Sequence, residues 1–335
     1  MRKDLPAEVL VAIVAICATR LAIAGPNTDS STTYYRAAIS TLADDLEKKY
    51  VFPDVGREYA AVLRKNVAEE RYRGITDSTE ISKRLTDDLR SLHPDLHLRV
   101  RPTASPPMAA STSSRPNPPI EGVAWLADGI AYIRFNLFPS TPETVAATRK
   151  FMQDHASAKA IIIDARHNHG GGGDEINVML PYLFAARTRV LEMELAREVA
   201  KEQGYSEDRF FHEVEAPPGR VRFEQIVEPD PVEHHLFTAK VYYLISLDTG
   251  SAAEALAFIF KITHRATLVG ERTRGMDHFG QFVPIGQNLE CFLPMGRTFD
   301  PVTATDWEGG GVIPDIVVSP DDALRVATKL AQNAR

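Results

Sequence analysis

A serine at the start of an apolar helix is the residue in this chain best placed for covalent chemistry. Residues 241–261 predict a buried strand, a short turn that ends in Gly250, and a helix that opens at Ser251. A hydroxyl there lies among unpaired amides at the positive end of the helix dipole. Acyl transfer needs such a nucleophile beside donors that hold an oxyanion. A structural interpretation stays open, because Ser251 and Glu254 also match a capping box that only closes the helix.

Four consecutive glycines, residues 170–173, follow a second predicted strand at residues 159–164. Their backbone amides can approach a ligand closely next to the start of a helix. A nucleotide-binding loop does not fit, because no Gly-Lys-Ser or Gly-Lys-Thr follows. An oxyanion hole and a plain flexible turn both stay open. Asp164 and Arg166, at the end of the strand, are expected to pair and fix the loop.

Two side chains far from the serine in sequence could complete a catalytic triad. His97, at the start of a predicted strand, could accept the serine proton as a general base. Glu308, in a glycine-rich turn at residues 307–311, could orient that base. The structural alternatives are a hydrogen-bonded histidine and a solvated turn glutamate, and His93 competes as the base.

The remaining histidines do not predict a metal site. His167 and His169 form one pair and His234 and His235 another, but no spacing matches a zinc set of three or four ligands. We therefore expect neither a metal nor another cofactor.

The composition is that of an ordinary globular protein. The chain has 335 residues, of which 44% are hydrophobic and 25% charged, and its net charge is −7. No basic stripe could neutralise phosphates, so a nucleic-acid partner is not expected. The length suggests two domains.

The N-terminal segment, residues 1–24, predicts a secretory signal peptide. Arg2 and Lys3 precede an apolar run at residues 9–18, and small residues follow it. That run is short for a membrane span, which needs about 20 residues, so no stable span is expected after cleavage. The sequence thus predicts an exported protein, periplasmic or secreted, in which Cys291 is the one cysteine left and no internal disulfide forms. A retained N-terminal helix and a cytoplasmic protein form the alternative.

The elements that must position these residues fall into two regions. Helical spacing predicts an N-terminal helical domain at residues 30–102, with about three helices and a final short strand. Residues 103–119 contain five prolines and four serines and predict a linker. From residue 120 to 335 strands alternate with helices, which predicts an α/β domain with a largely parallel sheet. Residues 187–235 are highly charged and predict no clear element.

Four motifs follow one another along the chain. They are DLHLRV at 95–100, DARHNHGG at 164–171, TGSAAEA at 249–255, and GERTRG at 270–275 leading to WEGGGVIPD at 307–315. This set resembles the tail-specific (C-terminal processing) protease family, which includes the tricorn core and the repeats of interphotoreceptor retinoid-binding protein. The similarity covers about residues 35 to 325. It implies a crotonase-like spiral of β-β-α units behind a small helical domain.

The resemblance also implies roles for individual residues. Ser251 would be the nucleophile. The backbone of Gly170 and Gly171 and the amide of Ala252 would donate to the oxyanion. Asp164, Arg166 and Glu254 would support these loops.

The base differs between branches of this family. Members with a PDZ module use a lysine just after the GExTxG turn; here that residue is Met276, and residues 103–119 are too short for a PDZ insertion. The tricorn-like branch uses the histidine of the D-x-H motif, which matches His97, and a glutamate that matches Glu308. In the tricorn core a serine before the histidine links it to the glutamate, and here that residue is Leu96.

The sequence therefore predicts a serine-type endopeptidase that hydrolyses a peptide or protein substrate through a Ser-His-Glu site. A carrier of apolar ligands such as retinoids or lipids, on the same scaffold, is the alternative. A crotonase-like use on acyl-thioesters is a third hypothesis, and it would not require the serine and histidine motifs. Neither the substrate sequence nor the oligomeric state is predicted.

Overall fold

The computed structural model of the protein describes residues 28–103, 117–229, 234–286 and 288–333. The predicted signal peptide, residues 1–24, and most of the predicted linker lie outside the described residues. Among the helices that the structure does describe, none combines the length and the apolar character that a membrane span requires.

The described residues form eight α-helices and twelve strands. The helices are α1 (Thr28–Lys49), α2 (Pro53–Ala68), α3 (Ser78–Leu92), α4 (Pro142–Asp154), α5 (Asp174–Leu183), α6 (Arg197–Gln203), α7 (Ala252–Thr263) and α8 (Pro320–Asn333). The strands are β1 (Arg99–Pro102), β2 (Ile120–Leu126), β3 (Ile130–Phe135), β4 (Ala160–Asp164), β5 (Thr188–Ala196), β6 (Phe211–Val214), β7 (Arg220–Val227), β8 (Lys240–Ile245), β9 (Thr267–Gly270), β10 (Phe279–Gly286), β11 (Leu289–Phe299) and β12 (Ile316–Val317).

The predicted parallel sheet is present, in the strand order β12-β9-β8-β4-β3-β2. All its pairs are parallel apart from the predicted β2–β3 hairpin. Every residue of β4 is buried, as expected for a strand covered on both faces. Asp164 at the end of β4 pairs with Leu244 near the end of β8. The loops after these strands therefore leave the same edge of the sheet, where α/β proteins usually bind ligands.

A second sheet corrects the expectation of one largely parallel sheet. It is antiparallel, with the order β1-β11-β5-β7-β6 and β10 also paired to β11. Much of it comes from residues 187–235, where charge obscured the strand pattern. Those charges pair across the sheet: Glu194 lies 3.4, 2.6 and 3.3 Å from Arg220, Arg222 and Arg297. Paired charges can occupy strand positions that a simple apolar alternation would not assign to them.

The three predicted N-terminal helices are confirmed, and they pack on the second sheet. Leu42 of α1 and Leu85 of α3 are fully buried in one core with Cys291 and Leu293 of β11. Strand β1, which follows α3, pairs with β11 as the edge of the same sheet. The helices and this sheet therefore determine together where His97 lies.

Candidate active site

Ser251 occupies a sharp turn between β8 and α7. Its backbone has φ 54° and ψ −124°, a conformation that is strained for any residue with a side chain. The helix begins at the next residue, so the hydroxyl lies at the helix N-terminus. A serine in a strained strand-to-helix turn is the arrangement that exposes a nucleophile above a parallel sheet.

Hydrogen bonds tie the nucleophile loop, residues 246–251, to the glycine segment after β4. The Thr249 hydroxyl donates to the Ala165 carbonyl at 2.8 Å. The Gly250 amide donates to the Asn168 carbonyl at 3.0 Å. The position of the serine relative to the glycines is therefore set by the backbones of both loops.

Gly170 packs directly against Ser251. A Cβ on Gly170 would lie 2.7 Å from the Ser251 Cβ and 2.9 Å from the Ala252 nitrogen, too close for real atoms. Gly171 has φ 130°, and its added Cβ would lie 2.0 Å from the Phe138 carbonyl oxygen. Only glycine fits at either position, because a side chain would collide with backbone.

The amides of Gly171 and Ala252 are available as donors. Within the described part of the chain neither amide donates a hydrogen bond, and both residues line the same cavity as Ser251. The Gly170 amide, in contrast, donates to Asn168 Oδ1 at 2.9 Å. Of the predicted oxyanion donors, the Gly171 and Ala252 amides are therefore the two that have no other hydrogen-bond acceptor among the described residues.

Glu254 supports the turn from inside the protein. Its fully buried carboxylate accepts from the Ser251 amide at 2.8 Å, the Thr273 hydroxyl at 2.6 Å, the Gly275 amide at 2.6 Å and the Met276 amide at 2.9 Å. Burial raises the pKa of this carboxyl, and the donors oppose that shift. Of the predicted capping box the glutamate half is present, since Glu254 accepts from the Ser251 amide, whereas the Glu254 amide donates to the Ser251 backbone carbonyl at 2.7 Å rather than to its hydroxyl.

The predicted pair of Asp164 and Arg166 is confirmed. Arg166 donates from Nε at 2.9 Å and from Nη2 at 2.7 Å to the two oxygens of the buried Asp164. Tyr132 donates to the same carboxylate at 2.8 Å. Burial opposes ionisation, but the Arg166 guanidinium holds the pKa of Asp164 below its usual value. This bidentate pair anchors the start of the glycine segment.

His97 lies in an apolar setting on the side of the second sheet. It is 4% exposed, and its ring stacks on Phe292 with 5.0 Å between the centroids. Its buried Nδ1 has no partner, and in the described chain it makes no hydrogen bond with Ser251 or Glu308. Burial lowers the pKa of His97 to about 4, so the ring is neutral at pH 7.

Glu308 lies near His278, a histidine that the sequence analysis did not identify as a candidate. Its Oε2 lies 3.8 Å from His278 Nδ1 and accepts from the Asp277 amide at 2.7 Å. His278 Nδ1 also lies 2.9 Å from Asp95 Oδ2. Burial lowers the pKa of His278, but its bond to Asp95 and the charge of Glu308 raise it above its usual value overall. We name Tyr50, Asp95, His278 and Glu308 the carboxylate–histidine cluster.

Asp95 connects this cluster to His97. Its Oδ1 accepts from the amides of His97 at 2.9 Å and Leu98 at 3.1 Å, while its Oδ2 accepts from the Tyr50 hydroxyl at 2.8 Å. The buried Asp95 carboxylate thus binds both the backbone amide of His97 and the imidazole ring of His278. The first letter of the D-x-H motif was the signal in the sequence that could have revealed this role.

Asp95, His278 and Glu308 also offer three ligand atoms within 4.8 Å of one another, a set that could hold a metal ion. The sequence analysis missed this group because its members come from three distant segments. His278 Nδ1 already bonds to Asp95 Oδ2, and Glu308 Oε2 accepts from the amides of Asp277 and His278, whereas the buried Glu308 Oε1 has no partner among the described residues.

The departures from the family pattern are also visible in space. A Cβ on Gly250 would lie 3.7 Å from the sulfur of Met276, so the thioether lies beside the nucleophile loop where a lysine would be the base. A thioether cannot take a proton at neutral pH. Leu96, in place of the relay serine, is 38% exposed. His93, the competing base, pairs with Glu58 at the surface.

A cavity of about 380 Å³ opens beside Ser251. Much of its wall is apolar: Ile176, Leu191, Met193, Phe211, Ala255, Ile259, Phe279 and Trp307. Asp174, Asp208 and Asp277 also line it, whereas His97 and Glu308 do not. The cavity can therefore hold an extended side chain next to the serine and the two free amides.

A strained serine, a glycine backbone packed against it and free amides in one cavity are features expected of a serine hydrolase on an α/β scaffold. Residues 129–318 match the model of peptidase family S41, and residues 32–124 match the N-terminal domain of peptidase S41 in eukaryotic IRBP, the retinoid-binding protein named above. The chain belongs to peptidase family S41 and is a serine-type peptidase.

Solved structures share the fold at low sequence identity. A lipoprotein from Streptococcus agalactiae has a TM-score of 0.56 and 13% identity, with 98% of this chain and 100% of that chain covered. The photosystem II D1 C-terminal processing protease has a TM-score of 0.51 and 14% identity, with 85% and 93% covered. These likenesses support the mixed α/β fold and the helical N-terminal region.

Proposed function

We propose that the protein hydrolyses peptide bonds with Ser251 as the nucleophile. The observation that carries this proposal is the strained turn of Ser251 against the Gly170 backbone, with two free amides in the same cavity. For the scaffold we infer the crotonase-like spiral; the unit β2-β3-α4 supports it, because a β-β-α unit is what such a spiral repeats. Membership in peptidase family S41 supports peptides or proteins as substrates.

The oxyanion that forms when the serine attacks needs donors already in position. We assign that role to the Gly171 and Ala252 amides, which are preorganised by the hydrogen bonds of both loops and by the start of α7. Ala252 also contributes the positive end of the helix dipole.

We assign the role of general base to His97, because it matches the histidine of the D-x-H motif and because its ring is neutral at pH 7. A base must be neutral to accept a proton; His97 is neutral at pH 7, whereas the pKa of His278 is raised beside two carboxylates. Asp95 positions the backbone of His97, and Glu308 acts through His278 and Asp95 rather than on His97 directly. Catalytic hydrogen bonds are often long without substrate, and the proposal requires that substrate binding bring the His97 ring to Ser251.

The proposed reaction has two steps. His97 removes the Ser251 proton as Oγ attacks the peptide carbonyl, and the oxyanion accepts from the two amides. The intermediate collapses, the C–N bond breaks and the amine leaves with the proton from His97. Water, deprotonated by His97, then attacks the acyl carbon; the C–Oγ bond breaks, His97 returns the proton to Oγ, and the acid leaves with Ser251 restored.

The test is hydrolysis of a peptide mixture by the purified wild type and by Ser251→Ala, His97→Ala and His278→Ala. Removal of the nucleophile should lower the rate on the order of 10⁶-fold. Removal of the base should lower it about 10²- to 10⁴-fold. His278→Ala should cost less than His97→Ala. Equal activity of the wild type, Ser251→Ala and His97→Ala would end the proposal.

The apolar walls of the cavity favour one second candidate, a carrier of apolar ligands. A serine-directed reagent separates the two functions, since only an activated hydroxyl reacts with it. Labelling supports the peptidase, and tight lipid binding without labelling supports the carrier.

We also propose that the protein is exported. The mass of the N-terminal peptide of the protein from a native extract would test this, because it shows whether the predicted signal peptide has been removed.

A further inference from the structure

The cavity beside Ser251 contains a buried acid, Asp277, that forms no salt bridge with any described residue. Asp277 lines the cavity and is 3% exposed. The hydrogen bonds to its carboxylate come from the Thr298 amide, at 3.3 and 3.2 Å. In the described chain no lysine or arginine pairs with it, and no basic residue is among those that line the cavity.

Such a carboxylate is costly for the protein. A buried charge needs a partner, and one long amide contact replaces little of the lost hydration. Burial accordingly raises the pKa of Asp277 well above its usual value. The other charged groups near it are His278, which is committed to Asp95, and the acids Asp306 and Glu308, whose charges oppose ionisation further.

The shape and charge of the rest of the cavity match a long cationic side chain. Its apolar walls can cover the methylene stem of a lysine or arginine, which buries its stem readily when its charged end finds a partner. Asp174 and Asp208, which also line it, are exposed acids that would draw a cation towards the entrance.

On the basis of the proposed function, we infer that this cavity is a specificity pocket for a lysine or arginine side chain of the substrate, with Asp277 as its counterion. The side chain would belong to the residue whose carbonyl Ser251 attacks, because the cavity adjoins the serine and both oxyanion donors. Asp277 acts on substrate choice, separately from the nucleophile and the base.

A purely structural role for Asp277, to hold the Thr298 amide, is the competing explanation. The Asp277→Asn variant separates the two, because an asparagine oxygen can still accept from that amide while the charge is gone. A structural role would leave the choice between charged and neutral substrates unaltered in this variant.

The experiment compares peptides that differ only at the residue before the cleaved bond: arginine, its neutral isostere citrulline, and norleucine. For the wild type we expect kcat/KM for the arginine peptide to exceed that for citrulline about a hundredfold, as for a buried charge pair. In Asp277→Asn the ratio should fall to near one. In Asp54→Asn, which removes an exposed charge outside the cavity, it should stay within about threefold of the wild type.

A binding measurement separates failure of this inference from failure of the proposed function. In the Ser251→Ala protein the arginine peptide should bind more tightly than the citrulline peptide, and Asp277→Asn should abolish the difference. If the wild type hydrolyses all three peptides equally, or Asp277→Asn keeps the preference for arginine, the inference is overturned and the peptidase stands. If no peptide is cleaved, the binding difference alone decides: its presence supports the pocket and its absence overturns it.

Discussion

The two halves of the candidate site are built in different ways. On one side, the nucleophile loop and the glycine segment follow neighbouring parallel strands and hold each other through backbone hydrogen bonds. On the other side, the carboxylate–histidine cluster joins side chains from the turn after α1, the loop after α3, the loop before β10 and the turn before β12. The first half is complete without substrate, whereas the second must still bring its base to the serine. Changes in the two halves should therefore have different signatures.

Among changes that leave the catalytic side chains in place, the largest effect is expected where backbone touches the nucleophile. Gly170→Ala would drive a Cβ against the Ser251 Cβ and the Ala252 nitrogen and displace an oxyanion donor. We expect a rate loss of about 10²–10³, the cost of losing one such donor. Gly310→Ala is the matched control, because an added Cβ there meets nothing within 4 Å. Steady-state kinetics on one peptide measures both, and equal rates for the two variants would refute the close packing at Gly170.

A smaller effect is expected in the cluster. Asp95→Asn keeps an oxygen for the amides of His97 and Leu98 but removes the charge opposite His278. Since hydrogen bonds to charged groups are worth about 1.5–3 kcal/mol, unfolding free energy should fall by that amount. Asp54→Asn is the control: its carboxylate is 86% exposed beside Arg57, so it should change stability by less than about 0.5 kcal/mol. Urea denaturation of both variants measures these free energies of unfolding. If Asp95→Asn is as stable as the wild type, the cluster contributes little to stability.

The pH profile of kcat/KM distinguishes the two histidines. Protonated His97 cannot accept the serine proton, so its acid limb should lie near its pKa of about 4. The limb should keep its position in His278→Gln. An acid limb at or above pH 6.5 that vanishes in His278→Gln would instead identify His278 as the base. Glu308, which lies beside His278, would then be the residue that orients the base.

The smallest expected effect is a pH dependence of stability at His278. Its folded pKa is raised above the unfolded value of 6.5, so its charge stabilises the fold fully below pH 6.5. That contribution should be lost as the pH rises through the folded pKa. The difference in unfolding free energy between wild type and His278→Gln should therefore shrink across this interval. A difference that grows with pH would contradict the raised pKa.

The same contrast explains what could be predicted from the sequence. Ser251, Glu254 and the glycines were recognisable because each lies in a contiguous strand–turn–helix segment with its own local signal. His278 and Asp277 were not, because their roles come from partners such as Asp95 and from burial that no local pattern encodes. The antiparallel sheet escaped prediction for a related reason: Glu194 satisfies its charge on strands that are distant in sequence. The roles proposed for His97 and Glu308 remain predictions.

The most direct test of the account is covalent labelling with an organophosphorus serine reagent, followed by intact mass and peptide mapping. The account predicts one adduct on Ser251 in the wild type, slower labelling in His97→Ala and Gly170→Ala, and none at this site in Ser251→Ala. A preparation that hydrolyses peptides but carries no adduct on Ser251, or hydrolysis that persists undiminished in Ser251→Ala, would contradict it.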